Sequence, residues 1–260
     1  MDNGRVKLVS PENRVLFFDR IKDKNDSMLQ EVGRWMAATY GEKEDTGTEW
    51  IGEALARENP DWLFVAVNGH DELYGYVHAE YLPLSGNQRL LYFCYVDAED
   101  ALKLAMVESV YLEALAYAEE RGEEIAAILV ETDEGWEWPE KAGLLTPCIK
   151  RGKKHTEVPY LAPPMEWFRN GKPKFAALPN RLKLWLAKLD VHILLAVIFA
   201  MYEQFIKYDE FSSEKARRKA EEEVSRLFAN LAGQVSGGEL VLLTEAQCQA
   251  LGKKFFRHAA

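Results

Sequence analysis

The chain has 260 residues, 48% hydrophobic and 28% charged, with a formal net charge of −10 and a pI near 5.2. Such a length suits one large domain or a domain with an appendage, and such a composition suits a folded, soluble protein. The acidic balance excludes a nucleic-acid binder that works through a whole-protein basic field. Cys94, Cys148 and Cys248 are odd in number and lack CxxC spacing, which points to a reducing compartment without a disulfide framework. The opening "MDNGRVKLVSPENR" has no apolar signal-peptide core, so a cytoplasmic protein is expected. The most apolar run, "VHILLAVIFAMY", has 12 residues against the ~20 that cross a bilayer, so a buried helix is expected, with membrane contact as the lesser alternative and no membrane partner.

In chain order, "RVKLVS" (5–10) reads as a short edge strand ended by Ser10-Pro11. "DSMLQEVGRWMAATY" reads as an amphipathic helix with Ser27 as N-cap and Met28, Val32, Trp35 and Met36 on one face. A second helix, "TEWIGEALAREN", stops before Pro60. "DWLFVAVNGHDELYGYVHAEYLP" predicts two strands around the turn-rich "NGHDE". "RLLYFCYVD" (89–97) predicts a central strand covered on both faces. A long helix follows, with Leu104, Val107, Tyr111, Ala114 and Ala118 facing the sheet and Gly122 as its stop. "EIAAILVET" (124–132) is another buried strand, followed by a tryptophan-rich stretch with Trp136 and Trp138 and then "PCIKRGKKHTEVPYLAPPMEW".

Beyond residue 175 the pattern turns helical. "LPNRLKLWLAKL" reads as a basic amphipathic helix burying Leu182, Trp185, Leu186 and Leu189. "HILLAVIFAMYEQFIKY" is a strongly apolar helix. "SSEKARRKAEEEVSRLFANLAG" is a helix opened by Ser212 or Ser213 and closed by Gly233. "TEAQCQALGKKFF" opens on a capping box from Thr244 to Gln247. The expected division is an α/β domain over residues 1–172 and a helical C-terminal extension over residues 173–260, packed on it because its apolar faces need a partner.

Strand, two helices, three strands, a helix, a strand: over roughly residues 5 to 165 this order resembles the GNAT acyltransferase superfamily. The resemblance rests on "LYGYVHAEYLP", "RLLYFCYVDAED", "VESVYLEALAYAEERG" and "EIAAILVETDE", with an echo in "KRGKKHTEVPYLAPP". It implies a mixed, mainly antiparallel central sheet flanked by helices. It also implies a strand at "LYFCYV" that splays from its neighbour, with acetyl-CoA or another acyl-CoA in the opening. Cys94, Tyr95 and Val96 would then offer backbone to the acyl group. The pyrophosphate would rest on amides at the start of the next helix, where orphan N–H groups and the helix dipole attract anions. The family's R/Q-x-x-G-x-G/A stretch maps onto "KLAMVE". Lys103 takes the first position, Met106 and Glu108 replace the two glycines, and Val107 lies between them. A methionine crowds such a site and a glutamate repels pyrophosphate, and Asp97, Glu99 and Asp100 add negative charge beside it.

Acyl transfer to an amine needs a base for the ammonium, an N–H for the oxyanion and an acid for the departing thiolate. Tyr76, His78 and Glu80 alternate along one strand and so share a face. An acidic residue near Glu80 is the base that the resemblance implies, with His78 as alternative base or relay; a solvent-facing strand end is the competing reading. Glu131 offers a second carboxylate, or a solvated strand terminus. Cys148 falls where the family carries an acidic tyrosine, as a proton donor if Lys150, Arg151 or Lys153 tunes it, or as a small buried apolar residue. "KRGKKH" (150–155) concentrates positive charge that could meet a CoA phosphate, a carrier protein or RNA, or form a solvated hairpin. No zinc spacing, G-x-S-x-G elbow or Walker loop is present, and "SGG" (236–238) reads as a turn.

Two functions follow from the resemblance. One is a divergent acyltransferase moving an acyl group from acyl-CoA or an acyl carrier protein to a small-molecule or peptide amine. The other is a non-catalytic GNAT-like scaffold whose C-terminal helices serve self-association, as in a homodimer, or a partner. An enzyme using another donor, such as aminoacyl-tRNA, is a third.

Overall fold

The computed structural model describes residues 6–9, 15–23, 25–40, 55, 61–132, 137–158, 160, 181–208 and 213–251. It forms two compact units, Met1–Leu82 with Leu91–Ile125, and Pro83–Leu90 with Ala126–Ala260.

In the first unit, β1 (Val6–Val9) and β2 (Val15–Ile21) form an antiparallel pair where the sequence suggests a single short strand. "VLFFDRI" reads as a strand only in hindsight, because Asp19 and Arg20 interrupt its apolar run while Leu16, Phe18 and Ile21 are buried. α1 (Ser27–Tyr40) is the expected helix. Its cap is Asp26 rather than Ser27: the Asp26 carboxylate accepts from the Met28 N–H at 2.9 Å and its carbonyl from the Leu29 N–H. The stretch expected as a second helix lies outside the described residues, apart from Leu55.

β3 (Asp61–Val67) and β4 (Leu73–Pro83) pair antiparallel, and β3 also pairs antiparallel with β2. The Asn68 side chain organises their turn by accepting from the His70 and Glu72 N–H groups. β5 (Gln88–Ala98) lies beside β4, as expected of the third strand. α2 (Asp100–Arg121) ends on Gly122 at φ 65°, the left-handed cap that the sequence predicts.

One face of this sheet is closed by α1. Leu29, Val32 and Met36 join Ile21, Leu63, Val65, Val67 and Tyr76 in one cluster. On α2, Leu102, Met106, Val107, Val110, Ala114 and Ala118 are buried, while Leu104 and Tyr111 are only half-buried. The buried stripe is therefore rotated towards Met106 and Val110 relative to expectation. Tyr117 of α2 meets Trp62 and Tyr81 edge-on at 5.9 and 5.6 Å, and Arg20 lies over Trp62 while pairing with Glu113 at 2.7 Å.

In the second unit, β6 (Glu124–Thr132) runs into α3 (Trp138–Lys141), β7 (Thr146–Arg151) and β8 (Lys154–Glu157). Then come β9 (Arg181–Leu186), α4 (Val191–Tyr208), α5 (Glu214–Val235), β10 (Glu239–Leu243) and α6 (Glu245–Ala250). β9 pairs antiparallel with β6, and β10, β7 and β8 form a separate three-stranded sheet. β9 corrects the expected basic helix. Leu182, Leu184 and Leu186 are buried at period two, whereas Trp185 and Leu189 are exposed. The alternation L-K-L-W-L fits a strand, and Lys183 is admitted to the interior because Glu140 meets its ammonium at 2.7 Å.

Ser213 caps α5 by accepting from the Ala216 N–H, as expected, but the helix passes through Gly233 and ends at Val235. Thr244 and Gln247 exchange the two hydrogen bonds of the expected capping box, at 2.8 and 3.1 Å. Among the described residues, no helix is long and apolar enough to cross a membrane.

Gly75 on β4 marks a close approach of β4 to β5. A Cβ there would stand 2.4 Å from the Ala98 Cβ and 2.8 Å from the Asp97 carbonyl oxygen on β5. Neither atom is the far end of a flexible side chain, so β4 and β5 would have to separate. Gly75→Ala is expected to lower stability by about 1–3 kcal/mol in urea unfolding.

Candidate functional site

β4 positions the candidate base. Its burial on both faces follows from α1 on one side and the Trp62–Tyr81–Tyr117 cluster on the other. Tyr76, His78 and Glu80 do share a face, opposite Val65, Leu63 and Asp61 of β3. The side chains are not at a solvent-facing strand end: Tyr76 and His78 are wholly buried and Glu80 is 1% exposed. His78 stacks on Tyr95 of β5, with ring centroids 6.4 Å apart and planes 25° apart, and Tyr95 also lies 6.5 Å from Tyr76. Tyr95 is half-buried. Chemically, this is a carboxyl and an imidazole two residues apart on one strand face, walled by tyrosines: a pair able to accept and pass a proton.

Cys94, next to Tyr95, is half-buried, and its thiol approaches the Tyr92 carbonyl at 3.7 Å. Val96 is buried and Asp97 half-buried. Asp97 accepts the Trp35 indole N–H at 2.8 Å and faces the Thr39 hydroxyl at 3.4 Å. This tie of α1 to β5 had no signal in the sequence beyond a carboxylate at a strand end. The carboxylate expected to burden a phosphate site is partly engaged in holding α1.

The helix start differs from the loop that the resemblance implies. α2 begins at Asp100 with Glu99 at the cap, and the Glu99 side chain makes no capping hydrogen bond. The Leu102 and Lys103 N–H groups both bond to the Glu99 carbonyl. Lys103, Met106, Val107 and Glu108 are therefore inside the helix, not in a loop before it. Met106 is wholly buried, Val107 nearly so, Lys103 half-buried and Glu108 exposed. The open amides of the first turn belong to positions flanked by Glu99 and Asp100, with no glycine to let a phosphate close in. These residues do not fit the pyrophosphate of acyl-CoA.

In the second unit, Cys148 is wholly buried on the middle strand of the small sheet, between Val241 of β10 and Glu157 of β8. That placement is the one expected of a small apolar residue. The basic stretch around it is partly spent on local structure. Lys150 pairs with Glu239 at 2.8 Å, drawing the Glu239 carboxyl below its ordinary range. Arg151 donates to the Gln234 and Ser236 carbonyls at 2.5 and 2.7 Å, closing the C-terminus of α5. Lys153 and Lys154 are exposed on the hairpin.

Glu131, near the end of β6, accepts a hydrogen bond from the Tyr160 hydroxyl at 2.8 Å. Tyr160 stacks on Tyr202 of α4, centroids 6.0 Å and planes 22° apart. Burial, followed by the charge of Glu131, raises the Tyr160 phenol well above its ordinary value of 10.0. This tyrosine, in the quoted "VPY", was not singled out from sequence; its proximity to a carboxylate depends on tertiary packing. Trp138 is buried on α3, and Trp136 lies outside the described residues. Among the described residues, no group of three His, Cys, Asp or Glu could hold a metal ion.

No protein-family model matches the sequence, and no curated protein matches it. Solved structures do match. One is NAA60 of Arabidopsis thaliana in complex with acetyl-CoA, at 13% identity, 66% of this chain, 98% of that one and a TM-score of 0.45. Another is an acetyltransferase of the GNAT family from Staphylococcus aureus, at 14% identity, 66% of this chain, 99% of that one and a TM-score of 0.40. A third is an aminoglycoside acetyltransferase from an uncultured soil metagenomic sample, in complex with sisomicin, at 16% identity, 49% of this chain, 84% of that one and a TM-score of 0.37. What this chain has in common with these structures is the fold alone, mainly antiparallel strands flanked by helices.

A raised phenol in the folded state favours the protonated form. Its stabilising effect is complete below the unfolded value near 10.0 and declines as pH rises above that. Tyr160→Phe is expected to cost about 1 kcal/mol at neutral pH through the lost hydrogen bond. It is also expected to flatten the alkaline loss of stability, read by urea unfolding at a series of pH values above 9.

Proposed function

We propose that this chain is an N-acyltransferase that moves an acyl group from a thioester donor, acyl-CoA or an acylated carrier protein, to a small-molecule or peptide amine. The observation that supports this reading is the buried Glu80–His78 face of β4, lined by Tyr76 and Tyr95. Glu80 takes the proton that an attacking ammonium must lose, and His78, on the same face, accepts it onward. A base working away from bulk water does not compete with solvent for that proton. The backbone of Cys94, Tyr95 and Val96 is the surface along which the acyl group lies.

A second reading has its own observation. The acidic, glycine-free start of α2 suits a GNAT-like scaffold that has given up nucleotide-bearing donors, and the chain then works by binding rather than by turnover.

Differential scanning fluorimetry with acetyl-CoA, longer acyl-CoAs and free CoA separates the two. A ligand at a hundred times its dissociation constant adds ~2.7 kcal/mol; the enzyme reading expects a shift with at least one of them, or acyl transfer from an acylated carrier protein to a panel of primary amines. Neither response would leave the scaffold reading. Given turnover, Glu80→Gln is expected to reduce kcat on the order of a hundredfold or more with the fold retained. Unchanged turnover would exclude Glu80 as the base.

A further inference from the structure

The joint between β5 and α2 limits what a thioester donor can carry. In acyl transfer the amine nitrogen bonds to the acyl carbon and yields a proton to Glu80. The C–S bond breaks, and the sulfur leaves as a thiol after taking one proton from water. None of these atoms belongs to the nucleotide of CoA. A nucleotide therefore contributes binding energy alone, and only where the protein gives it a site.

A pyrophosphate at a helix start needs open amides, backbone that no Cβ obstructs and no carboxylate in its way. Glu99 stands at the cap of α2 with its side chain exposed, against a dipole worth about half a positive charge. Its carbonyl already takes the Leu102 and Lys103 N–H groups, each at 2.9 Å. The sequence has no glycine from Asn87 to Arg121. Lys103 is half-buried within the helix rather than ahead of it.

The joint is also fixed in place. The Asp97 carboxylate accepts the Trp35 indole N–H at 2.8 Å, tying the strand end to α1. Ala98 lies so close to Gly75 of β4 that a Cβ on that glycine would stand 2.4 Å from it. In the second turn of α2, Met106 is wholly buried on the same stripe as Val110 and Ala114. Moving this helix start to admit two phosphates would break the Asp97 tie and open a void behind Met106. Cys94 and Tyr95, earlier on β5, are half-buried and carry no such acidic neighbour at the cap.

We propose that the acyl donor of this chain is a thioester without a nucleotide, a pantetheine thioester held by its acyl and thioester ends, either free or borne on a carrier protein. This donor narrows the acyl transfer proposed above and rests on it.

Equilibrium titration of the full chain with matched acyl-pantetheines and acyl-CoAs, acetyl to octanoyl, tests the donor without requiring turnover. The two dissociation constants are expected to agree within about threefold for each acyl group, and adenosine 3′,5′-bisphosphate at ~10 mM is expected to displace neither. An acyl-CoA that binds more than about tenfold tighter than its acyl-pantetheine, or a bisphosphate that displaces it, overturns the inference and leaves acyl transfer standing. Absence of binding by every acyl-pantetheine overturns both. Glu99→Gln, at an exposed position, is expected to keep the ratio within the same range; a tenfold gain for the acyl-CoA would reveal a phosphate site masked by one charge and overturn the inference. Titration with an acetylated carrier protein separates the two sources, both of which uphold it: binding about tenfold tighter than acetyl-pantetheine assigns the thiol to a carrier, and equal or weaker binding to a free thioester.

Discussion

A carboxyl and an imidazole removed from water are the constraint around which the first unit is arranged. Taking such groups out of solvent costs several kcal/mol unless neighbours compensate. β4 nevertheless carries Glu80 and His78 on a face that α1 covers with Leu29, Val32 and Met36 at one end of the same cluster. Neither side chain contributes apolar area to that core. A strand with Val or Leu at both positions would satisfy the alternation at least as well. The proposed acyl transfer draws on these two residues of β4 rather than on the more conspicuous cysteines.

Several polar ties in this molecule have a structural reading. Asp97 anchors Trp35, Asp26 caps α1, Arg151 closes α5, and Lys183 is matched by Glu140 with Glu245 at 3.8 Å. In the Lys183 cluster the Glu245 N–H also donates to Glu140 at 2.5 Å, so the start of α6 is fixed to α3 by the same carboxylate. Each of these ties gives a charged residue a job that sequence alone would have left as surface or as ligand contact. The basic run at 150–155 illustrates it: as sequence it suits either a phosphate contact or a solvated hairpin, while in the fold Lys150 and Arg151 serve a cross-strand pair and a helix end.

What could be read from the sequence was set by how local the governing interaction is. Gly122 and the Thr244–Gln247 box are decided within a few residues of backbone, so the caps stand where expected. The face shared by Tyr76, His78 and Glu80 is a consequence of strand period alone. "RLKLWL" suggests a helix because its six residues fit both an amphipathic helix and an alternating strand. The choice was made by β6, which offers Ala127 to Thr132 as partners, and by Glu140, which lets a lysine point inward. β10 carried no turn-to-strand signal beyond Gly237 and Gly238 and depends on β7 for its existence. The burial of Glu80 beside β3 and the pairing of Tyr160 with Glu131, 29 residues apart, depend on tertiary contacts that spacing does not encode.

The start of α2 sets the chemical limit on any acyl donor. A helix N-terminus offers the equivalent of about half a positive charge. Here Glu99 occupies the cap, and its formal negative charge opposes what the dipole supplies. Met106, which aligns with a glycine of the resembling loop, is instead part of the core with Val110 and Ala114, and replacing it with glycine would open a cavity rather than a cradle. The departure is thus not a single lost contact that one substitution would repair; it is built into the helix register and the packing of its second turn. Under the acyl transfer proposed above, the donor is recognised through its acyl and thioester-proximal parts along β5, where Cys94 and Tyr95 are half-buried, and not through a pyrophosphate at this helix.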